Sequence, residues 1–156
     1  MIWNKELECA DRETMRALQL EKLKSSVKYE YENVPYYAAK MDEAGVKPED
    51  IRTLEDIAML PFIAKEDIAA NYPKGLFAAP MKDIVRIQAS SGTTGKPKIM
   101  GFTQNDLDIW GEAVARGLTM CGIGANDVAH VSYGYGLFTG GLGAHLGAET
   151  IGATVL

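Results

Sequence analysis

The chain has 156 residues, 47% hydrophobic and 24% charged, which is ordinary for a globular protein and enough for one sizeable core. A net charge of -5 argues against a general nucleic-acid or membrane-surface binder, and no apolar run nears the ~18 residues of a membrane helix. The start "MIWNKELECADRE" lacks the pattern of a secretory signal, and two cysteines, Cys9 and Cys121, make no disulfide framework or zinc spacing, so a reducing, cytoplasmic setting is expected.

Residues 1–72 hold 25 of the 37 charged side chains but only one of the 16 glycines, Gly45, and residues 73–156 reverse that balance. The shift predicts a helical, solvated segment over 1–72 and a glycine-rich sheet-and-loop region over 73–156. In the first segment Leu20, Leu23, Val27 and Tyr31 recur at helical spacing, an apolar stripe that reads as core. Pro35 disfavours helix at Val34, and a short helix through "YYAAKMDEA" is expected to end at Gly45 in a left-handed cap. Thr53 is placed to cap "LEDIA" with Asp56 three positions on; Pro61 stops that piece, and "AKEDIAANY" begins another short helix.

In the second region "DIVRIQA" and "KIMGFT" read as strands on either side of "SSGTTGKPK". Thr103 then caps a helix on which Leu107, Trp110, Val114, Leu118 and Cys121 fall at steps of three and four. "DVAHVS" is strand-like, "YGYGLFTGGLG" is a second glycine-rich loop, "AHLGAETIG" reads as helical, and "ATVL" reads as a strand. The alternation points to an α/β fold: an N-terminal helical segment followed by part of a mixed sheet with flanking helices. After Met120 the acidic and basic groups are Asp127 and Glu149 alone, and the last four residues hold no charge, so the chain is expected to be part of a larger assembly or polypeptide.

The loop from Ser90 to Lys98 carries four hydroxyls, two glycines and two lysines. Phosphate oxygens need such a set: a backbone free to curl, hydroxyl donors and positive charge. It is not a Walker A loop, because Ser90 stands where the first glycine belongs and Pro97 follows Lys96 in place of Ser or Thr. Read from its residues alone it is either a phosphate cradle or a flexible surface turn.

"SSGTTGKPK" resembles the phosphate loop of the adenylate-forming superfamily, in which acyl- and aryl-CoA ligases are found. The segment "NVPYYAAKMDEAGVKPEDIRTLEDIAMLPFIAKEDI", the Trp110 helix and "YGYGLFTGGLGAHLGAE" resemble its phenylacetate–CoA ligase branch, over nearly the whole chain. One departure is Ile63-Ala64, where many such enzymes have Thr or Ser; it removes a helix cap, not chemistry. The resemblance implies an incomplete piece of the large N-terminal domain of an adenylate-forming enzyme, using ATP, Mg2+ and coenzyme A. It implies that Ser90, Ser91, Gly92, Thr93, Thr94, Gly95 and Lys96 hold the ATP phosphates, with Lys98 a lesser candidate.

"YGYGLFTGG" sets aromatic rings among glycines, which suits either a flat ligand or tight strand–helix packing. In the resembling ligases the region lines the aryl-acid pocket, which nominates Tyr133 and Phe138 as walls and Gly140 and Gly141 as close-approach positions. His130 and His145 have no second ligand at a recognisable spacing and read as ordinary packing or surface residues, so no metal site is expected. The acidic motif, hinge and lysine-bearing C-terminal domain of the resembling enzymes do not occur, so no catalytic residue is assigned and the chain alone is expected to be inactive. The expected partners are an aromatic carboxylic acid, ATP, coenzyme A and the remainder of a ligase chain, with a homodimer left open and neither nucleic acid nor membrane involved. Two other classes stay open: a split-subunit or nucleotide-binding module without catalysis of its own, and a phosphate-loop NTPase.

Overall fold

A computed structural model describes residues 1–90 and 97–156. Asp11 starts the first long helix: its carboxylate accepts the Thr14 N–H at 2.7 Å, satisfying a donor that the first turn cannot pair. A short turn, α1 (Lys5–Glu8), precedes that helix, α2 (Arg12–Asn33). Pro35 occupies the first position of α3 (Pro35–Glu43), where its missing N–H is no loss, so α2 ends at the buried Val34. The expected left-handed turn follows at Gly45, with φ of 69°.

The chain forms two compact units, Ala10–Pro80 and Met1–Cys9 with Met81–Leu156. In the first, Val27, Met41, Val46 and Ile51 make a buried cluster against which Leu23, Tyr31, Tyr37 and Leu60 pack. Each such side chain withdrawn from water contributes about 1.5–3 kcal/mol. The expected α2 stripe is therefore core at Leu23, Val27 and Tyr31, and Leu20 is half-buried. Two 3-10 turns (Pro48–Asp50 and Glu55–Met59) come next, then α4 (Lys65–Ala70). Thr53 does not cap the second turn, which has no side-chain cap; instead Asp56 Oδ2 accepts the Thr53 and Arg52 N–H groups at 2.7 and 2.9 Å. Asp67 joins α4 to α3, accepting from Tyr36 Oη at 2.6 Å, Lys40 Nζ at 3.0 Å and the Ala64 N–H at 2.7 Å. Those hydrogen bonds, Tyr36's foremost, hold the Asp67 carboxyl down at about 2.

In the second unit β1 (Arg86–Ala89) and β2 (Ile99–Phe102) pair antiparallel, with Arg86 opposite Phe102 and Ala89 opposite Ile99. β3 (Val128–Ala129) and β4 (Thr154–Val155) pair in parallel. Both senses of a mixed sheet occur, in separate two-stranded pairs. Thr103 caps α5 (Gln104–Met120) as expected, in a reciprocal box with Asp106. Its buried residues are Leu107, Gly111, Ala115 and Thr119; of the predicted apolar stripe Leu107 is buried, Trp110, Val114 and Leu118 are half-buried and Cys121 is exposed. Glycines allow close packing of α6 (Thr139–Ile151) on α5: Gly143 lies against Trp110, Gly147 against Val114, and Gly111 of α5 against Thr150. Trp110 also stacks on Phe102 at 5.4 Å, tying α5 to β2. α6 ends at Gly152, with φ of 85°. The first residues attach to this unit through Trp3 Nε1, which donates to Glu112 at 2.8 Å, and through Glu8 beside Arg116 at 3.7 Å.

Candidate functional site

The β1–β2 pairing carries on for one step beyond the strands. Ser90 N–H donates to the Lys98 carbonyl at 3.0 Å, and Lys98 N–H donates to Ser90 Oγ at 2.9 Å. Ser90 and Lys98 therefore extend the antiparallel pairing of β1 and β2 at the base of the hydroxyl-rich segment, which joins two strands as expected. Because Ser90 Oγ is used as an acceptor here, its own proton is left to donate elsewhere. Ser91, Gly92, Thr93, Thr94, Gly95 and Lys96 lie outside the described residues.

The aromatic loop leaves β3, runs exposed through residues 132–138 and enters α6 at Thr139. Tyr133 is 69% exposed and Phe138 51%, so both rings are available to a neighbour or ligand. Gly140 and Gly141 stand in the first turn of α6, not in the loop, because the helix starts earlier than "AHLGAETIG" suggests. A Cβ at Gly140 would lie 3.1 Å from the Tyr133 ring, and one at Gly141 would lie 3.0 Å from the Gly134 carbonyl. These glycines thus let the Tyr133–Gly134 backbone and ring rest directly on the helix.

Two hydrogen bonds bring the loops together. Ala89 N–H donates to the Leu137 carbonyl at 2.7 Å, and Gln88 Nε2 donates to the Phe138 carbonyl at 3.1 Å. The end of β1, from which the hydroxyl-rich segment departs, is thereby fixed to the aromatic loop at the start of α6. Sequence reading missed Gln88, since its partner lies fifty residues away and leaves no local pattern. It also missed a second restraint on the loop: Tyr135 Oη meets His145 Nδ1 at 2.9 Å, and His145 Nε2 meets Glu149 at 3.2 Å. His130 is exposed.

Among the described residues no group of three His, Cys, Asp or Glu side chains could hold a metal, and no helix is long and apolar enough to cross a membrane. A cavity of about 670 Å3 lies in the other unit, lined by charged residues with Tyr31, Pro48 and Ile51. It contains none of the residues nominated from sequence, so its size is no guide to phosphate or aryl-acid binding.

No model of a known protein family matches the chain. Curated relatives do: it is 54% identical over 159 residues to a phenylacetate–coenzyme A ligase of Escherichia coli (strain K12), covering 100% of this chain and 36% of that protein. It is 53% identical over 150 residues to the phenylacetate–coenzyme A ligase of Aromatoleum evansii, covering 96% of this chain and 34% of the relative. Among solved structures, 2-hydroxyisobutyryl-CoA ligase with 2-HIB-AMP and CoA in the thioesterification state superposes with a TM-score of 0.91 at 29% identity, over 99% of this chain and 34% of that one. An open conformation of the same ligase gives a TM-score of 0.89. The expected resemblance and fold class are borne out: the chain is a partial domain of the adenylate-forming CoA ligase fold. By sequence and by fold, then, the chain is a homologue of the phenylacetate–CoA ligases, spanning about a third of their length.

Proposed function

We propose that this chain supplies the phosphate-holding and aryl-acid-binding part of an ATP-dependent aryl-CoA ligase acting on phenylacetate or a similar acid. The observation that carries this reading is the identity of 54% to a phenylacetate–coenzyme A ligase across the whole chain. In the reaction the acid's carboxylate attacks the α-phosphorus of ATP, forming an acyl-adenylate and releasing pyrophosphate. The thiol of coenzyme A then attacks the acyl carbon, forming the thioester and releasing AMP.

Residues 73–156 form the binding subdomain in this reading, and residues 1–72 the helical segment before it. Ser90 through Lys96 hold the β- and γ-phosphates and stabilise charge on the departing pyrophosphate, an electrostatic task for fixed N–H, O–H and ammonium donors. Ser90's hydroxyl proton, left over from its bond to Lys98, is one such donor. Tyr133 and Phe138 are the aryl walls, and Gly140 and Gly141 keep the first of those rings against α6. Mg2+ accompanies ATP in such chemistry, but the described residues offer no carboxylate set for it, and no step is assigned to it. The setting is the cytoplasm, consistent with two exposed free thiols; the partners are the remainder of a ligase chain and, in one assembly open to it, a second copy.

The test is product analysis. The native-length protein that carries this chain, given phenylacetate, ATP and coenzyme A, yields AMP, pyrophosphate and phenylacetyl-CoA in equal amounts. Production of ADP and phosphate in place of AMP and pyrophosphate would instead favour an NTPase.

A further inference from the structure

Gln88 is a fully buried polar side chain whose two polar ends fare differently. Its Nε2 donates to the Phe138 carbonyl at 3.1 Å, while its Oε1 is buried with no donor among the described residues. A buried amide left half-paired is a poor way to fill a core, because an apolar residue of the same shape avoids the unpaired acceptor. The bond it does make falls on the residue before α6, where the backbone leaves extended geometry at φ of -78° and ψ of 149°. At that point the direction of the Phe138 side chain is set by the direction of its own peptide. The adjacent bond from Ala89 N–H to the Leu137 carbonyl uses the backbone alone and survives any change of side chain at position 88.

We propose that Gln88 is a positioning residue for substrate selection: it orients Phe138, half-exposed at the mouth of the aromatic loop, through the Phe138 carbonyl. It touches neither substrate nor reacting atoms. The proposal rests on the reading of Phe138 as a wall of the acid site. The phosphate side of the site is independent of it, because the hairpin base is closed by the paired bonds of Ser90 and Lys98.

Two variants of the native-length protein test this. Gln88→Met keeps the volume and removes both the donor and the unpaired oxygen; Gln88→Glu keeps the shape and replaces the amide donor. In initial-rate assays both raise the KM for phenylacetate about tenfold, the scale of one misplaced pocket contact. Both leave kcat and the KM for ATP within about twofold, and Gln88→Met unfolds at the wild-type temperature or above. An active wild type whose variants keep the wild-type KM for the acid, or lose kcat alone, overturns the positioning role and leaves the proposed function standing. Failure of both variants to fold overturns it as well, by making Gln88 a structural requirement. A wild type without acid-dependent activity overturns the proposed function, and this role with it.

Discussion

Gly147 of α6 lies against Val114 of α5 so closely that a Cβ at Gly147 would stand 2.5 Å from Val114 Cβ and nearer still to its Cγ1. The helix pair that supports the aromatic loop therefore depends on a hydrogen atom at this position. Gly147→Ala is expected to destabilise the chain by about 1–3 kcal/mol, the usual cost of overpacking. Val114→Ala in the same chain should recover part of that loss. Gly117, in α5 with no atom of the described residues within 4 Å of where a Cβ would stand, is the control: Gly117→Ala should stabilise by about 0.5–1 kcal/mol through helix propensity. Urea unfolding midpoints read all three changes, and equal effects at the two glycines would contradict the packing.

Acid should weaken the Ala10–Pro80 unit through Asp67. Its carboxyl is held at about 2, below the ordinary 3.8, by bonds from Tyr36, Ala64 and Lys40. A carboxyl with a depressed folded-state value contributes stability that is complete above the unfolded value and is lost as pH falls through the folded one. The loss should therefore fall between pH ~4 and pH ~2. Asp67→Asn should flatten the pH dependence of stability in that window relative to wild type, as followed by thermal unfolding at a series of pH values. An unchanged slope would show that the bonds are not maintained in solution.

Ala64 begins α4 without a side-chain acceptor, and Asp67 supplies only the reverse half of a capping box. Ala64→Ser should add the missing acceptor and stabilise the chain by about 0.5–2 kcal/mol. The denaturant midpoint measures this, and no gain would mean that α4 contributes little to cooperative unfolding.

Much of this fold could be read from the sequence because its signals are local. Pro35 at the start of α3, Thr103 at the head of α5 and Gly45 in a left-handed turn each act within a few residues. The less legible parts depend on distant partners. Nothing near Gly140 or Gly141 reveals that they lie inside a helix, because the ring of Tyr133 that fills the space above them comes from an exposed loop. On α5 the stripe residues Trp110 and Val114 do pack on α6, but the burial of Gly111, Ala115 and Thr119 was not legible, because small residues carry no hydrophobic signal. At the candidate site the two strands flanking the hydroxyl-rich segment were legible in the sequence, but their antiparallel pairing was not. The Gln88–Phe138 bond was not, since an amide and a carbonyl fifty residues apart form no pattern.

Loop and wall residues should separate kinetically if they serve different ends of one site. In the native-length protein Tyr133→Ala should raise the KM for phenylacetate by about 10- to 100-fold with a small effect on the KM for ATP. Thr94→Val should instead lower kcat by about tenfold or more, as removal of a donor to developing charge does. Initial rates with each substrate varied in turn distinguish the two, and identical profiles would contradict the division of roles.

The most direct measurement is phenylacetate-dependent exchange of labelled pyrophosphate into ATP, compared between the native-length protein and the 156-residue chain alone. Exchange requires a carboxylate, ATP and a pyrophosphate-holding loop, but no coenzyme A. Robust exchange is predicted for the native-length protein and none for the chain alone, which spans 36% of its Escherichia coli relative. Exchange by the chain alone, or its absence from the native-length protein, would contradict the proposed role.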